Sequence, residues 1–209
     1  MQNLRSTHFM SDNLKWELIK EEHIIQDAWI DFRRNIYRLP NSAEIGPVYN
    51  YSKHSFVIIV AKTKDDKYIC VKQYRHGIDS VTTEFPAGGI EYLEKSDVPY
   101  ITKENTIATE EDALLAAKRE LLEETGYASE NIKHLITMPA NATLATNNMH
   151  IYLATDCEKR SSQHLDDTEF LNVVLLSEDE IREKIFRGDF LQSHHVLAWY
   201  MAKDAKLQK

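Results

Sequence analysis

Three glutamates spaced three and four residues apart dominate the segment RELLEETGY, residues 119–127. On a helix, Glu120, Glu123 and Glu124 would lie on one face, within one turn of each other. Carboxylates held so close together repel, so the chain needs a compensating cation there. Hard oxygen ligands of this kind suit Mg²⁺, with Mn²⁺ as a second possibility. Arg119 precedes Glu123 by four residues and could pair with it or with a neighbouring carboxylate.

A glutamate-rich helix face is more often solvated charge than a metal site, and two features argue for the site here. Leu121 and Leu122 place the acids at the edge of a packed helix face. The glycine-rich segment EFPAGG, residues 84–89, also precedes the helix. Its backbone could approach a phosphate or offer a carbonyl oxygen to a metal.

The pattern of strands and helices around these residues predicts an α+β protein. The apolar run FVIIVA predicts a strand buried on both faces, and YICVKQY predicts its hairpin partner. A helix is predicted from Glu110 or Glu111 to a stop at Gly126. Further strands are expected at 151–154 and 170–176, with short strands around Asp27, a turn at 39–47 and a bend at 84–89. A capping box opens a helix from Ser177 to 186, and a last helix covers 194–206.

Composition restricts the class of protein. The 209 residues fit one domain with a small appendage, and the net charge of −8 argues against a nucleic-acid-binding surface. Cys70 and Cys157 make no disulfide framework, so a reducing cytoplasm is the expected compartment. No segment approaches the roughly 20 apolar residues of a membrane helix, and no leader sequence is expected.

The segments AGGIE and EDALLAAKRELLEETGY together resemble the Nudix box. That motif is a glycine, five residues, a glutamate, seven residues and then REUxEExGU, where U is apolar. Glu111 matches the first box glutamate, because seven residues separate it from Arg119. The box glycine would fall at Asn105, whereas Gly88 and Gly89 lie upstream of it. Residues 92–109 are therefore expected to form a surface insertion between bend and helix.

The resemblance extends from residue 16 to residue 202, and the elements QYR and EFPAGG are typical of the ADP-ribose pyrophosphatase branch. It implies a Nudix α/β/α sandwich with a mixed β-sheet, plus an N-terminal β-strand segment. Residues 1–50 would be that strand segment, which contributes to a homodimer, and residues 51–209 the Nudix hydrolase domain. The other implied partner is a small nucleoside diphosphate derivative, with no nucleic acid and no membrane.

The resemblance also implies the roles of individual residues. Mg²⁺ would be held by the three glutamates of the helix and the carbonyl of Ala87, while Glu111 and Arg119 orient the site. A catalytic base would come from the acidic loop LDDTEF, where Glu169 is favoured over Asp166 and Asp167. Substrate contacts are expected from Arg75, Glu84, Gly88 and Gly89. The alternatives are a solvated loop arginine for Arg75 and an ordinary edge-strand glutamate for Glu84.

The implied reaction is Mg²⁺-dependent cleavage of an ADP-ribose-like nucleoside diphosphate sugar to a nucleoside monophosphate and a sugar phosphate. The segment after the box, MPANATLATNN, has Pro139 but lacks the glycine and the acid that often follow in this branch. Another sugar nucleotide or a dinucleotide is therefore an alternative substrate. A Nudix-fold sensor that does not hydrolyse its ligand is a further alternative, although such modules usually lose part of the acid set that this chain retains.

Overall fold

The computed structural model describes residues 14–90, 100–103 and 110–207, without the side chains of residues 110, 111, 206 and 207. The expectations for Glu111 and for most of residues 92–109 lie outside the described residues. In chain order the elements are β1 (Glu17–Gln26), β2 (Asp31–Arg38), β3 (Glu44–Ser52), β4 (Phe56–Thr63), β5 (Tyr68–Arg75), β6 (Ser80–Glu84), β7 (Ala87–Gly89), α1 (Glu110–Thr125), β8 (Tyr127–Ala128), β9 (Asn131–Pro139), β10 (Asn148–Lys159), β11 (Leu171–Leu176), α2 (Glu178–Arg187) and α3 (Ser193–Leu207).

The first three strands form a separate antiparallel sheet in the order β1-β2-β3. The end of β3 joins it to the rest of the chain, because the Tyr51 N–H donates to the Leu144 carbonyl and the Thr146 N–H donates to the Tyr51 carbonyl. Behind this connection Arg33 is buried and donates to Asp31 and to the hydroxyl of Ser52. The N-terminal sheet is thus fastened to the loop that precedes β10.

The second sheet has eight strands, with the path β11-β5-β4-β10-β8 and with β6, β7 and β9 attached to β5, β4 and β10. β4 and β10 run parallel, and the other pairings are antiparallel, so the sheet is mixed. The short strand β7 pairs with the beginning of β4 and brings the glycine-rich segment to the centre of the sheet.

The central strand β4 buries both faces, because its side chains alternate between two helix layers. Val57 and Ile59 pack with α1 residues such as Leu121, while Ile58 and Val60 pack in the core that α2 and α3 cover. The expected α/β/α arrangement and the α+β class are confirmed. No helix within the described ranges is long and apolar enough to cross a membrane.

Several expected elements are confirmed and others differ. The hairpin of β4 and β5, helix α1, the Ser177–Glu180 capping box and the last helix are present. The expected turn at 39–47 is shorter, because β3 begins at Glu44 and includes the Gly46–Pro47 pair at a sheet edge. The expected bend at 84–89 is only Phe85–Pro86, since β7 follows at once. β8 and β9 lie where no strand was predicted, and the short strands expected around Asp27 are the longer strands β1 and β2 on either side of it.

The described part of the expected surface insertion is partly buried. Ile101 is 2% exposed, and its N–H donates to the Asp27 carbonyl in the turn between β1 and β2. The Gln26 side chain donates in turn to the Ile101 carbonyl. Residues 100–103 therefore pack against the N-terminal sheet. The scattered apolar residues of this stretch have no strand or helix period, so they carry no signal from which this contact could be predicted.

Candidate active site

Helix α1 carries the predicted acids at its C-terminal end. Leu121 is fully buried against the sheet, so the neighbouring Glu120 and Glu124 are drawn to the edge of the core and are 7% and 3% exposed. Glu123 points further out, with a side chain 41% exposed. Gly126, with φ of 71°, ends the helix in the left-handed conformation that a glycine adopts without steric cost.

Strand β7 lies directly against these carboxylates. The Ala87 N–H donates to Glu124 Oε2 at 3.0 Å. Gly88 leaves the room that the Glu120 carboxylate occupies, because a Cβ added at Gly88 would overlap that carboxylate. Ala87 pairs with Ile58 of β4, and the adjacent hydrogen bond of this pair runs from the Ile59 N–H to the Pro86 carbonyl. Ala87 therefore occupies a non-hydrogen-bonded position, so both its N–H and its carbonyl point away from β4. The carbonyl thus lies on the same side as the N–H that donates to Glu124.

The two buried acids are electrostatically strained. Burial raises the pKa of Glu124 to about 8, and the charge of Glu120 adds to the effect. Burial likewise raises the pKa of Glu120 to about 7, although Arg119 opposes the shift. The charge of Glu169 raises both pKa values further. The site thus holds more negative charge than its neighbours neutralise.

Arg119 lies among the acids on α1. Its guanidinium donates to Glu123 Oε2 and to Glu120 Oε1, each at 2.8 Å, and to the Gly89 carbonyl at 2.9 Å. It therefore connects two of the predicted metal-binding glutamates to β7. Among the described side chains, no group of three or more His, Cys, Asp or Glu residues is arranged to hold a metal ion.

The loop after β10 is fastened to the end of α1. The Gln163 side chain donates to the Glu124 carbonyl at 2.8 Å, and the His164 N–H donates to the Glu123 carbonyl at 2.9 Å. These donors satisfy carbonyls that the helix end leaves open. The acidic loop at 166–169 follows immediately, and the Asp166 N–H contacts Glu169 Oε2 at 3.3 Å. Glu169 is exposed, and its charge acts on both buried acids.

Arg75 and Glu84 form one unit rather than two independent substrate contacts. Arg75 donates from Nε and Nη2 to the two carboxylate oxygens of Glu84, at 2.9 and 2.5 Å. Burial works against both charges, but the Arg75 bond lowers the pKa of Glu84, and Glu84 and Glu124 raise the pKa of Arg75. Glu84 is fully buried at the end of β6, which pairs with β5 alone among the described strands. It is therefore a glutamate of an edge strand that is nevertheless buried.

His195 supports Glu84 from the start of α3. Its Nδ1 accepts the Phe85 N–H at 3.1 Å, so the proton of the neutral ring sits on Nε2, which faces Glu84 Oε2 at 3.4 Å. Burial lowers the pKa of His195 to about 4, which keeps the ring neutral. Its neighbour His194 points elsewhere and contacts the Ala140 carbonyl. The two histidines thus diverge, as expected from their adjacency.

A cleft of about 640 Å³ opens beside β7. Its walls include Arg75 and all three residues of β7, together with residues from the end of β3, from the 140–147 loop and from the start of α3. The sequence analysis linked the segment that contains the 140–147 loop to the substrate, but it missed the end of β3 and the start of α3, because these segments meet only in the folded chain. The residues of the three segments include Lys53, His54, Asn141, Asn147, Gln192 and Ser193.

The residues present fit a divalent cation. Glu120 and Glu124 are buried acids whose raised pKa values fall once a cation neutralises them. The space at Gly88 and the direction of the Ala87 carbonyl add a cradle of hard oxygen donors. Arg119 bonds one carboxylate oxygen of Glu120 and one of Glu123, so each of these residues has a second oxygen that Arg119 does not use. The roles of the individual residues remain predictions.

Comparison with known proteins places the chain. The family model of the NUDIX domain matches residues 52–200. The chain is 32% identical over 143 residues to the methanol dehydrogenase activator of Bacillus methanolicus, covering 68% of each protein. It is 29% identical over 164 residues to the ADP-ribose pyrophosphatase of Bacillus subtilis strain 168, covering 78% of each. A solved ADP compounds hydrolase shares the fold, with a TM-score of 0.68 at 19% identity over 91% of this chain and 93% of that one. Since the matched region is most of the chain and contains the acids of α1 beside β7, the protein belongs to the Nudix family of hydrolases.

Proposed function

We propose that the protein is a Mg²⁺-dependent pyrophosphohydrolase of ADP-ribose-like nucleoside diphosphate sugars, and that Mn²⁺ can replace Mg²⁺. The observation that carries the proposal is the pair of buried carboxylates, Glu120 and Glu124, which lie against β7, a strand whose residues line the cleft. A ligand with charged phosphates and a bound cation would relieve the charge that burial makes costly. The products would be a nucleoside monophosphate and a sugar phosphate.

The cation would be held by Glu120, Glu124 and the Ala87 carbonyl, with Glu123 as a further ligand. When bound, it would neutralise phosphate charge and lower the pKa of a water molecule. Arg75 donates from Nε and Nη2 to Glu84, and this pairing fixes the orientation of the guanidinium. The third nitrogen, Nη1, would donate to a phosphate oxygen. Glu169 is the proposed base, because it is exposed to solvent water and its charge reaches both buried acids.

Two of the three named relatives support an ADP-containing substrate. One relative is an ADP-ribose pyrophosphatase, and the structural neighbour is an ADP compounds hydrolase. Neither name decides between ADP-ribose, another sugar nucleotide and a dinucleotide. The substrate class is proposed as a small nucleoside diphosphate derivative, with ADP-ribose as its first member.

The direct test is a hydrolysis screen with and without Mg²⁺ over ADP-ribose, other nucleoside diphosphate sugars, dinucleotides and nucleoside triphosphates. Wild type should convert ADP-ribose to AMP and ribose 5-phosphate. Glu124→Gln should reduce the turnover at least ~100-fold, the scale seen when metal sites are disturbed. Glu130→Gln, a change of an exposed glutamate in the loop before β9, is the matched control. Undiminished turnover of Glu124→Gln would contradict the metal assignment.

We further propose that residues 1–50 form a dimer-building segment beside a Nudix domain at 51–209. Strand β1 is exposed along almost its whole length, although it carries Leu18, Ile19, Ile24 and Ile25, each between 40 and 51% exposed. Trp29, in the following turn, is 77% exposed. Apolar surface of this extent marks an interaction site, and a second copy of the chain would cover it. Light scattering coupled to gel filtration measures the assembly.

A further inference from the structure

The carboxylate of Glu84 has partners in two separate parts of the chain. Arg75 donates from Nε to Oε1 at 2.9 Å and from Nη2 to Oε2 at 2.5 Å. From the other part, Gln192 Nε2 donates to Oε1 at 3.2 Å, and His195 Nε2 lies 3.4 Å from Oε2. Each carboxylate oxygen therefore has one partner in Arg75 and one near the start of α3. Because Glu84 is fully buried, these groups rather than solvent determine how its carboxylate is oriented.

The loop between α2 and α3, residues 188–192, is fastened to β6 by three hydrogen bonds. The Thr83 N–H and the Thr82 hydroxyl both donate to the Asp189 carbonyl, at 2.9 and 3.0 Å. The Leu191 N–H donates to the Thr82 hydroxyl at 3.1 Å. The loop thus has a defined position on the strand that ends at the buried carboxylate, and this position brings the start of α3 to that carboxylate.

Gln192 uses its backbone and its side chain for different contacts. Its carbonyl accepts the N–H groups of His195 and Val196 at the first turn of α3, at 3.1 and 3.3 Å. Its side-chain amide contacts Glu84 instead, and the donor must be the NH2 group because a carboxylate only accepts. Truncation of Gln192 to alanine therefore removes the contact with Glu84 and keeps the backbone bonds that begin α3.

His195 joins the same carboxylate to the backbone of the chain. Its Nδ1 accepts the Phe85 N–H at 3.1 Å, which leaves the proton of the neutral ring on Nε2, towards Glu84. A glutamine side chain also has one acceptor and one donor, so it can make both contacts. Alanine can make neither, and this difference separates the polar role of His195 from its bulk.

Arg75 connects this group to the site. It lines the cleft beside β7, and its charge acts on the buried carboxylate of Glu124. Two of its nitrogens are held by Glu84, so a change in the orientation of that carboxylate would redirect the whole planar guanidinium. A displacement of about 1 Å in a group that positions substrate can cost on the order of 100-fold in rate.

We propose that Gln192 and His195 are positioning residues for the hydrolysis, because they fix the carboxylate of Glu84 and thereby the direction in which Arg75 faces a phosphate. The assignment rests on the proposed function and adds residues that act through Arg75. These residues belong to the helix layer on the other side of the sheet from α1, so both helix layers determine the geometry of the site.

A double-mutant cycle tests whether the effect of Gln192 passes through Arg75. Gln192→Ala should lower kcat/KM for ADP-ribose about tenfold. Arg75→Lys keeps the positive charge but cannot hold both carboxylate oxygens, so it loses the same orientation. In the Arg75→Lys background, Gln192→Ala should therefore change kcat/KM by less than about twofold. A side chain that only stabilised the fold, or that contacted substrate itself, would cause its full loss in both backgrounds.

The second arm of the test uses His195. His195→Ala should lower kcat/KM about tenfold, whereas His195→Gln should stay within about threefold of wild type. His134→Ala is the matched control, because His134 lies on β9 and its ring contacts Thr137. If His195→Ala does not fold, the Gln192 cycle still decides the inference.

Binding of inorganic pyrophosphate, measured by isothermal titration across the same Gln192 and Arg75 variants, gives the comparison without turnover. Equal losses from Gln192→Ala in both backgrounds, or no loss in either, would overturn the inference and leave the proposed function intact. If wild type does not hydrolyse ADP-ribose but the pyrophosphate cycle depends on Arg75, the inference stands and the proposed function fails. Absence of both hydrolysis and pyrophosphate binding in wild type would overturn both.

Discussion

Replacing Glu124 with Gln should stabilise the metal-free protein at alkaline pH while it abolishes the response to Mg²⁺. Burial raises the pKa of Glu124 from an ordinary value of 4.5 to about 8. The folded state therefore binds a proton more tightly than the unfolded state does. The free energy of unfolding must fall as the pH rises from the unfolded pKa to the folded pKa, because in this range the unfolded state is ionised while the folded state still holds the proton.

The size of the effect follows from the same shift. A difference of about 3.5 pKa units corresponds to about 5 kcal/mol when the carboxylate is fully ionised, at about 1.36 kcal/mol per unit. The pKa of about 8 already includes the bond from the Ala87 N–H and the attraction of Arg75. Gln offsets part of the gain through its NH2 group, which replaces one carboxylate oxygen in the buried site with a hydrogen-bond donor. We expect a net stabilisation on the order of 2 kcal/mol at about pH 8.5, or roughly 4–8 °C in Tm for a chain of this size.

Thermal unfolding followed by circular dichroism in the presence of a chelator measures this effect at about pH 5 and pH 8.5. Near the lower pH the wild-type carboxyl is protonated, so Gln should have little advantage. Glu123→Gln is the control, because its side chain is 41% exposed and bound to Arg119. Added Mg²⁺ should raise the Tm of wild type and leave Glu124→Gln almost unchanged.

One result would refute this reasoning. If Glu124→Gln lowers the Tm by the same amount at both pH values, the carboxylate is not strained by burial. Its contact with Ala87 would then be stabilising in itself. A Mg²⁺ response equal to that of wild type would separately remove Glu124 from the proposed metal site.

Three further predictions follow from the same geometry. Gly88→Ala places a methyl group on the Glu120 carboxylate, so it should lower the Tm and reduce Mg²⁺-dependent hydrolysis at least ~10-fold. The methyl group of Gly89→Ala meets nothing within 4 Å, so this variant should keep the wild-type Tm. Equal losses of Tm in the two variants would contradict this prediction. His195 has a folded pKa of about 4 against 6.5 unfolded, so the wild type should lose up to about 3 kcal/mol more stability than His195→Gln as the pH falls from 6.5 to 4, as denaturant titrations would measure. Ile25→Asp on exposed β1 should convert the proposed dimer to a monomer in light scattering, and an unchanged mass would argue against that interface.

The sequence predicted best those helices and strands whose formation depends on residues close together in the chain. The run FVIIVA, the hairpin after it and the helix ending at Gly126 all depend on near neighbours, so they could be predicted. β7 could not, because three small residues have no strand pattern of their own and become a strand only by pairing with β4. The burial of Ile101 likewise depends on a turn more than 70 residues earlier in the chain.

For the site, the sequence by itself determined which acids stand on one helix and at what spacing. That result follows from helix geometry and from the Nudix box that the residues match. Tertiary structure decided their environments: Glu120 and Glu124 are buried against β7, Glu123 is turned to Arg119, and Glu84 is paired with Arg75. It alone assembled the cleft beside β7, since its walls come from five separate parts of the chain. Local propensity acts over a few residues, whereas burial and charge pairing depend on which distant segments the sheet brings together.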